Sequence, residues 1–172
     1  MNYHNTEVII IRDNPHIFGD GYHEATQIVL ETLYQQNLQN KTVLDMGTGT
    51  GIQAIYAKKW GAKKVVAVDI DLTAIQAARK NFQKNNVEVI SQLNIYNEFI
   101  EDKFDIIIAN LPCHNVREFL TMAHKNMTKD SVLIVSWDKQ FNFSNECDLS
   151  QYEIINHIEG IEWDAYALKE KV

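Results

Sequence analysis

Val43-Leu44-Asp45-Met46-Gly47-Thr48-Gly49-Thr50-Gly51 decides the fold: an apolar run passes directly into three alternating glycines. A helix-length segment from about Ile52 to Trp60 follows, and Gly61 is its natural stop. Glycines between a strand and a helix let the chain turn tightly and approach a ligand where a Cβ would clash. They also present amide groups beside a helix N-terminus. Gly47, Thr48, Gly49 and Gly51 are therefore the first candidate ligand contacts.

Working downstream, short β-branched runs alternate with amphipathic segments, the pattern of successive βαβ units and a mostly parallel sheet. Lys63 to Ile70 predicts a second strand, and Asp71-Leu72-Thr73 opens a helix to about Asn85 with Ile75, Ala78 and Phe82 on one face. Val87 to Ile90 predicts a third strand and Phe104 to Asn110 a fourth. Val116 to Met127 predicts a helix, and Ser131 to Trp137 a fifth strand. Tyr152 to Ile158 and Glu162 to Leu168, around Glu159-Gly160, predict an antiparallel hairpin at one sheet edge. Upstream, a short strand is expected over Val8 to Ile11, a polar loop over Arg12 to Tyr22, and a helix over Glu24 to Gln36. Residues 1–40 read as an extension of a single domain spanning 1–172, with helices on both faces of the sheet.

With 172 residues, 45% of them hydrophobic, the chain is long enough for one substantial core. No positive leader or long apolar stretch is found, so neither secretion nor membrane insertion is expected. Cys113 and Cys147 are too few for a disulfide framework, which fits a reducing, cytoplasmic setting. The formal charge of −7 argues against nonspecific nucleic-acid binding, which needs clustered Lys and Arg. His4, His16, His124 and His157 lack ligand spacing, and no metal is expected.

The second strand ends in Asp69, roughly twenty residues past the glycines, where an open sheet places an acceptor for ribose hydroxyls. Asp69 could instead cap a helix, but Asp71 is the better placed capping residue. A dinucleotide fingerprint would be GxGxxG, and its third glycine position is Ile52 here. Asp45, two residues before the glycines, would repel a pyrophosphate and suit the ammonium of an amino-acid moiety. That sign favours S-adenosylmethionine over a nicotinamide or flavin dinucleotide.

DMGTGTG, AVDID and FDIIIANLP, in this order, resemble the successive motifs of class I S-adenosylmethionine-dependent methyltransferases over about residues 41 to 170. The resemblance implies an α/β, Rossmann-like, seven-stranded sheet with a terminal antiparallel strand. It also implies that Asp45, Gly47 and Gly49 line the methionine end, that Asp69 and Ile70 flank ribose and adenine, and that Asn94 and Ile95 border the adenine. Upstream, Phe18-Gly19-Asp20-Gly21-Tyr22-His23-Glu24-Ala25-Thr26 is similar to the FGTGxHxTT segment of the group that modifies a large-subunit ribosomal protein. Glu162-Trp163 is similar to that group too. In it the segment covers the cofactor, which makes Phe18, His23 and Thr26 expected contacts. The group carries a separate recruiting domain, read here as absent, so recruitment is expected of a partner subunit.

Asn110-Leu111-Pro112-Cys113 closes the fourth strand, where the family places the methyl acceptor. It resembles, at Asn110 and Pro112 only, the (N/D)PP(Y/F) motif of amide and base amino methyltransferases. There the Asn side chain holds an NH2 group toward the methyl. Cys113 in place of an aromatic removes a stacking face, so a planar acceptor is disfavoured. As a nucleophile toward a base, Cys113 would need a carboxylate on the fifth strand, which is not there. His114 is a candidate base. Trp60 and Trp163 read as packing residues, and Trp137 as the indole nearest the crevice. The reading is an N-methyltransferase acting on a protein side chain or small molecule. Its alternatives are an inactive cofactor-binding subunit, an RNA or DNA base amino methyltransferase, and, least favoured, an oxidoreductase.

Overall fold

A computed structural model describes residues 2–94 and 102–171 of the chain. In chain order the elements are β1 (Asn2–Tyr3), β2 (Thr6–Glu7), α1 (Glu24–Tyr34), β3 (Thr42–Met46), α2 (Ile52–Lys59), β4 (Lys64–Asp69), α3 (Leu72–Lys84) and β5 (Ile90–Leu93). Then come β6 (Phe104–Ala109), α4 (Cys113–Leu120), a 3-10 turn (Ala123–Asn126), β7 (Met127–Asp138), α5 (Phe143–Glu146), β8 (Tyr152–Glu159) and β9 (Trp163–Glu170). Seven strands form one sheet in the order β5-β4-β3-β6-β7-β9-β8. β5 to β7 run parallel, while β9 pairs antiparallel with both β7 and β8. The expected seven-stranded sheet with its antiparallel hairpin is the sheet observed.

Both sheet faces are covered, so the central strands are continuous apolar runs with no alternation of polar residues. Val43, Val65, Ile106 and Ile134 pack under α1, α2 and α3. Leu44, Val66, Ile107 and Leu133 pack on the other face with Val116 and Phe119 of α4 and Phe143 of α5. Each such side chain contributes about 1.5–3 kcal/mol of burial. Asp45 interrupts this rule as a fully buried acid in the central strand. Chain order reverses between β3 and β6, and their C-terminal ends part to open a crevice. No helix of the described residues is long and apolar enough to cross a membrane.

β1, β2 and α5 were not expected from the sequence, β7 begins four residues before the expected Ser131, and three further elements differ for a physical reason. Val8 to Ile11 forms no strand: the N–H groups of Ile9 and Ile11 donate to Oδ1 of Asn85 (2.9 Å) and of Asn81 (2.7 Å). Side chains of α3 take the place of a neighbouring strand. β5 begins at Ile90, where the third strand was expected to end, because Asn86 turns left-handed (φ 52°) and the Val87 N–H closes back on Phe82 O of α3. Val87 and Val89 pack against the core without joining the ladder. α4 starts three residues before the expected Val116, since Pro112 takes its N-cap position, and it ends at Leu120. Only the 3-10 turn carries the chain on to Met127.

Asn81 is fully buried, and its amide also donates to Thr50 O (2.9 Å), joining α3, residues 9–11 and the glycine turn. Asn81→Ala strands the Ile11 N–H and Thr50 C=O. The expected loss, read by urea denaturation, is on the order of 3 kcal/mol, at about 1–3 kcal/mol per buried group left unpaired.

Candidate active site

The turn after β3 is held to the tip of β4. The N–H groups of Gly47 and Thr48 both donate to Val68 O at 2.9 Å, and the Gly49 N–H donates to Asp69 Oδ2 at 2.9 Å. Gly47 and Gly49 have φ of +72° and +53°. A Cβ on Gly47 would run into the Leu111 side chain, and one on Gly49 into the carbonyl of Phe18. Both positions therefore need glycine for conformation, and Gly49, set against backbone, needs it for space as well. From outside, Phe18 O accepts the Thr50 N–H at 3.0 Å, and Gly19 O accepts the Thr50 hydroxyl.

Around this turn lies a crevice of about 460 Å³ at the C-terminal ends of β3, β4 and β6, within the roughly 300–1,000 Å³ common for small-molecule sites. Of the expected contacts, Phe18, His23, Gly47, Gly49, Asp69 and Ile70 line it. So do Asn94, Asn110 and Pro112. Thr26, Thr48 and Asp45 stand behind the wall, all three buried. Gly51 backs onto the Phe82 ring, not the crevice. His114 is exposed on α4 and is not part of the lining. Ile95 lies outside the described residues.

Trp163, Leu111 and Asn115 also line the crevice, and none of the three was expected as a contact from the sequence. Trp137, expected at the crevice edge, is only 1% exposed, and its indole donates to Phe141 O at 2.9 Å. Trp163, read as packing, occupies the edge instead. The dipeptide Glu162-Trp163 was the available signal; its position depends on where the hairpin docks.

The residues present fit a nucleoside bearing an amino-acid arm. Asp69 Oδ2 accepts from Gly49 and Oδ1 from the Asp71 N–H (3.0 Å), and each oxygen keeps a second lone pair for a ribose hydroxyl. Among the described residues nothing partners Asn94 Oδ1, which is buried at the crevice wall and would accept a ligand N–H or O–H. On the opposite side, Ser136 donates to Asn110 Oδ1 (2.7 Å), and the Asn110 amide donates to Thr26 (3.5 Å). These two bonds fix which way the Asn110 amide points. Burial pushes the Cys113 thiol up, and its Sγ accepts the Asp138 N–H at 3.4 Å, so it is a protonated packing group.

Asp45 differs most from its expected role beside an ammonium. It lies on the β3 face under α2, where Oδ2 accepts the Thr48 hydroxyl (2.6 Å) and the Ala54 N–H (3.2 Å), and Oδ1 has no partner among the described residues. Burial first, with Asp69 adding repulsion, pushes its carboxyl up to about 7, against the hydrogen bonds of Thr48 and Ala54. Folding therefore favours the protonated carboxyl. Its stabilisation is complete below about pH 4 and is lost as pH rises through 7. Asp45→Asn removes this titration but keeps one acceptor oxygen. Between pH 4 and 8 the variant should gain on the order of 4 kcal/mol relative to the parent chain, read from paired urea melts.

The family model described as Ribosomal protein L11 methyltransferase (PrmA) matches residues 1–171. The ribosomal protein L11 methyltransferase of Thermosipho africanus is 36% identical over 166 residues, covering 94% of this chain and 61% of the relative. That of Caldicellulosiruptor saccharolyticus is 42% identical over 137 residues, covering 78% of this chain and 45% of the relative. The chain thus spans about half the length of the curated relatives it matches. The crystal structure of ribosomal protein L11 methylase from Lactobacillus delbrueckii subsp. bulgaricus superposes with a TM-score of 0.84 at 28% identity, covering 91% of this chain and 82% of that one. The T. thermophilus 16S rRNA N2 G1207 methyltransferase, in complex with AdoMet and guanosine, shares the fold with a TM-score of 0.74 at 19% identity, over 90% of this chain and 45% of that one. With the family match running nearly end to end, this chain belongs to the ribosomal protein L11 methyltransferase family.

Proposed function

We propose that this chain binds S-adenosylmethionine in the crevice and transfers its methyl group to a nitrogen of a protein side chain. One observation carries the reading: a single crevice joins Asp69, Gly47 and Gly49 at the tips of β3 and β4 to Asn110 and Pro112 at the tip of β6. The first set suits a nucleoside and the second an acceptor, so the two halves of a group transfer share one wall. The family name favours a protein acceptor over a small molecule, and the lack of an aromatic at Cys113 weighs against a planar base.

When bound, S-adenosylmethionine supplies an electrophilic methyl on a sulfonium, which an amine displaces directly. Asp69 would hold the ribose hydroxyls, and Asn94 a polar edge of the adenine. The glycine turn lets the backbone approach the amino-acid arm closely. Asn110, with its amide held by Ser136 and Thr26, keeps one lone pair and one N–H for the acceptor. Leu111, Pro112 and Phe18 exclude water from the path. A neutral amine needs orientation more than proton transfer. His114 lies outside the lining and is assigned no proton, which leaves with solvent.

Calorimetry tests the cofactor half. S-adenosylhomocysteine should bind and NAD should not, and Asp69→Ala should weaken the former by roughly tenfold to a hundredfold, the worth of hydrogen bonds to a charged group. Tight NAD binding, or an indifferent Asp69→Ala, would overturn the reading.

Labelled methyl transfer into fractionated cell extract tests the acceptor half. Label should enter protein, and Asn110→Ala should slow the transfer roughly a hundredfold, the cost of a misplaced reactant. Label in RNA would favour the base amino reading. No label above the enzyme-free control, with S-adenosylhomocysteine still bound, would identify an inactive binding subunit.

A further inference from the structure

The turn between β8 and β9 is gripped from two sides by groups outside the hairpin. On one side the Glu24 carboxylate, from the first turn of α1, accepts three consecutive backbone N–H groups: Ile161 (2.6 Å), Glu162 (2.8 Å) and Trp163 (3.0 Å). These bonds hold the Glu24 carboxyl below the usual carboxylate range. On the other side Lys139 Nζ donates to Gly160 O (3.0 Å) and to Glu159 (2.8 Å), and the Lys139 N–H donates to Glu162 O (2.9 Å). The Gly160 N–H closes the turn on Trp163 O at 2.9 Å. A Cβ on Gly160 would strike that same carbonyl and come within 2.8 Å of Glu24 Oε1.

A short hairpin turn closes without outside help, so this external bonding fixes its position more than its shape. What the turn carries to the crevice is Trp163. Its ring meets His23 edge-on at 5.4 Å, and His23 meets Phe18 at 4.9 Å, so three aromatic rings follow one another along the wall. His23 is itself set as the N-cap of α1, with Nδ1 accepting the Ala25 N–H at 3.2 Å. Trp163 pairs in register with Asp138 at the end of β7. It therefore stands on the side of the β6 and β7 tips, away from Asp69 and Asn94 on the β4 and β5 side.

We infer that Glu24 is a positioning residue: its carboxylate pins the β8–β9 turn so that Trp163 forms a fixed wall on the acceptor side of the crevice. Calling that side the acceptor side rests on the methyl-transfer reading; the pinning of Trp163 does not. Replacing one carboxylate oxygen with an amide NH2 leaves a single acceptor for three N–H groups and sets a donor against at least one of them, so Glu24→Gln weakens the grip while keeping the side chain's length.

The test is the 1H–15N spectrum of the full chain, whose three indole N–H peaks come from three tryptophans. Loss of a peak in Trp163→Phe assigns that of Trp163. Glu24→Gln should move or broaden this peak and the amide peaks of Ile161, Glu162 and Trp163. The indoles of Trp60 and Trp137 should stay in place. Gly160→Ala, whose Cβ would strike Trp163 O and crowd Glu24 Oε1, should give the same pattern and serves if the first variant folds poorly. By calorimetry, S-adenosylhomocysteine affinity of either folded variant should stay within about threefold of the parent. An unmoved Trp163 peak in both variants would overturn the pinning. A moved peak with S-adenosylhomocysteine binding lost would place Trp163 on the cofactor side and overturn the assignment of its wall. A parent chain that binds no S-adenosylhomocysteine would count against the proposed function alone, and the peak positions would still decide the role of Glu24.

Discussion

The hydrogen bond from the Gly49 N–H to the Asp69 carboxylate ties the turn after β3 to the tip of β4, and the site depends on it. An unattached three-glycine turn would sample many conformations, because glycine loses more freedom on ordering than any other residue. Here the turn gains partners at each step: Val68 O for Gly47 and Thr48, Asp69 for Gly49, and Phe18 O for Thr50. The carboxylate that closes the turn from below is also the one that faces the crevice. Closure of the turn and the proposed ligand contact thus share one side chain, so a ligand would meet a surface already ordered.

How much was legible follows from what each signal encodes. Continuous runs such as Phe104-Asp105-Ile106-Ile107-Ile108-Ala109 mark strands buried on both faces, and the parallel core was read correctly from them. Local patterns could not place β5, because Val87 and Val89 look like strand residues but pack against the core outside the ladder. Ile9 and Ile11 look like a strand too, yet their hydrogen bonds go to two asparagines about seventy residues away in sequence. That exchange leaves no periodicity to read.

The site was legible where a residue's place follows from a strand tip and its turn: Gly47, Gly49, Asp69 and Asn110 all line the crevice. It was less legible where the direction of a side chain decides. Asp45 precedes the glycines in sequence, but strand alternation sends it to the same face as Val43, beneath α2, and away from the crevice. The choice between Trp137 and Trp163 needed the hairpin's docking against β7, a contact that no local pattern contains.

The Glu24 grip on Ile161 spans 137 residues of sequence, so one wall of the crevice combines an early segment of the chain with a very late one. Contacts of such separation form slowly, and a nascent polypeptide emerges from its N-terminal side at about 5–20 residues per second. During synthesis Phe18, His23 and Glu24 are made before β3 and β4, and Trp163 well after them, so that wall waits for its last ring. Until β9 is made, the Glu24 carboxylate has none of the three N–H groups that it holds in the folded chain.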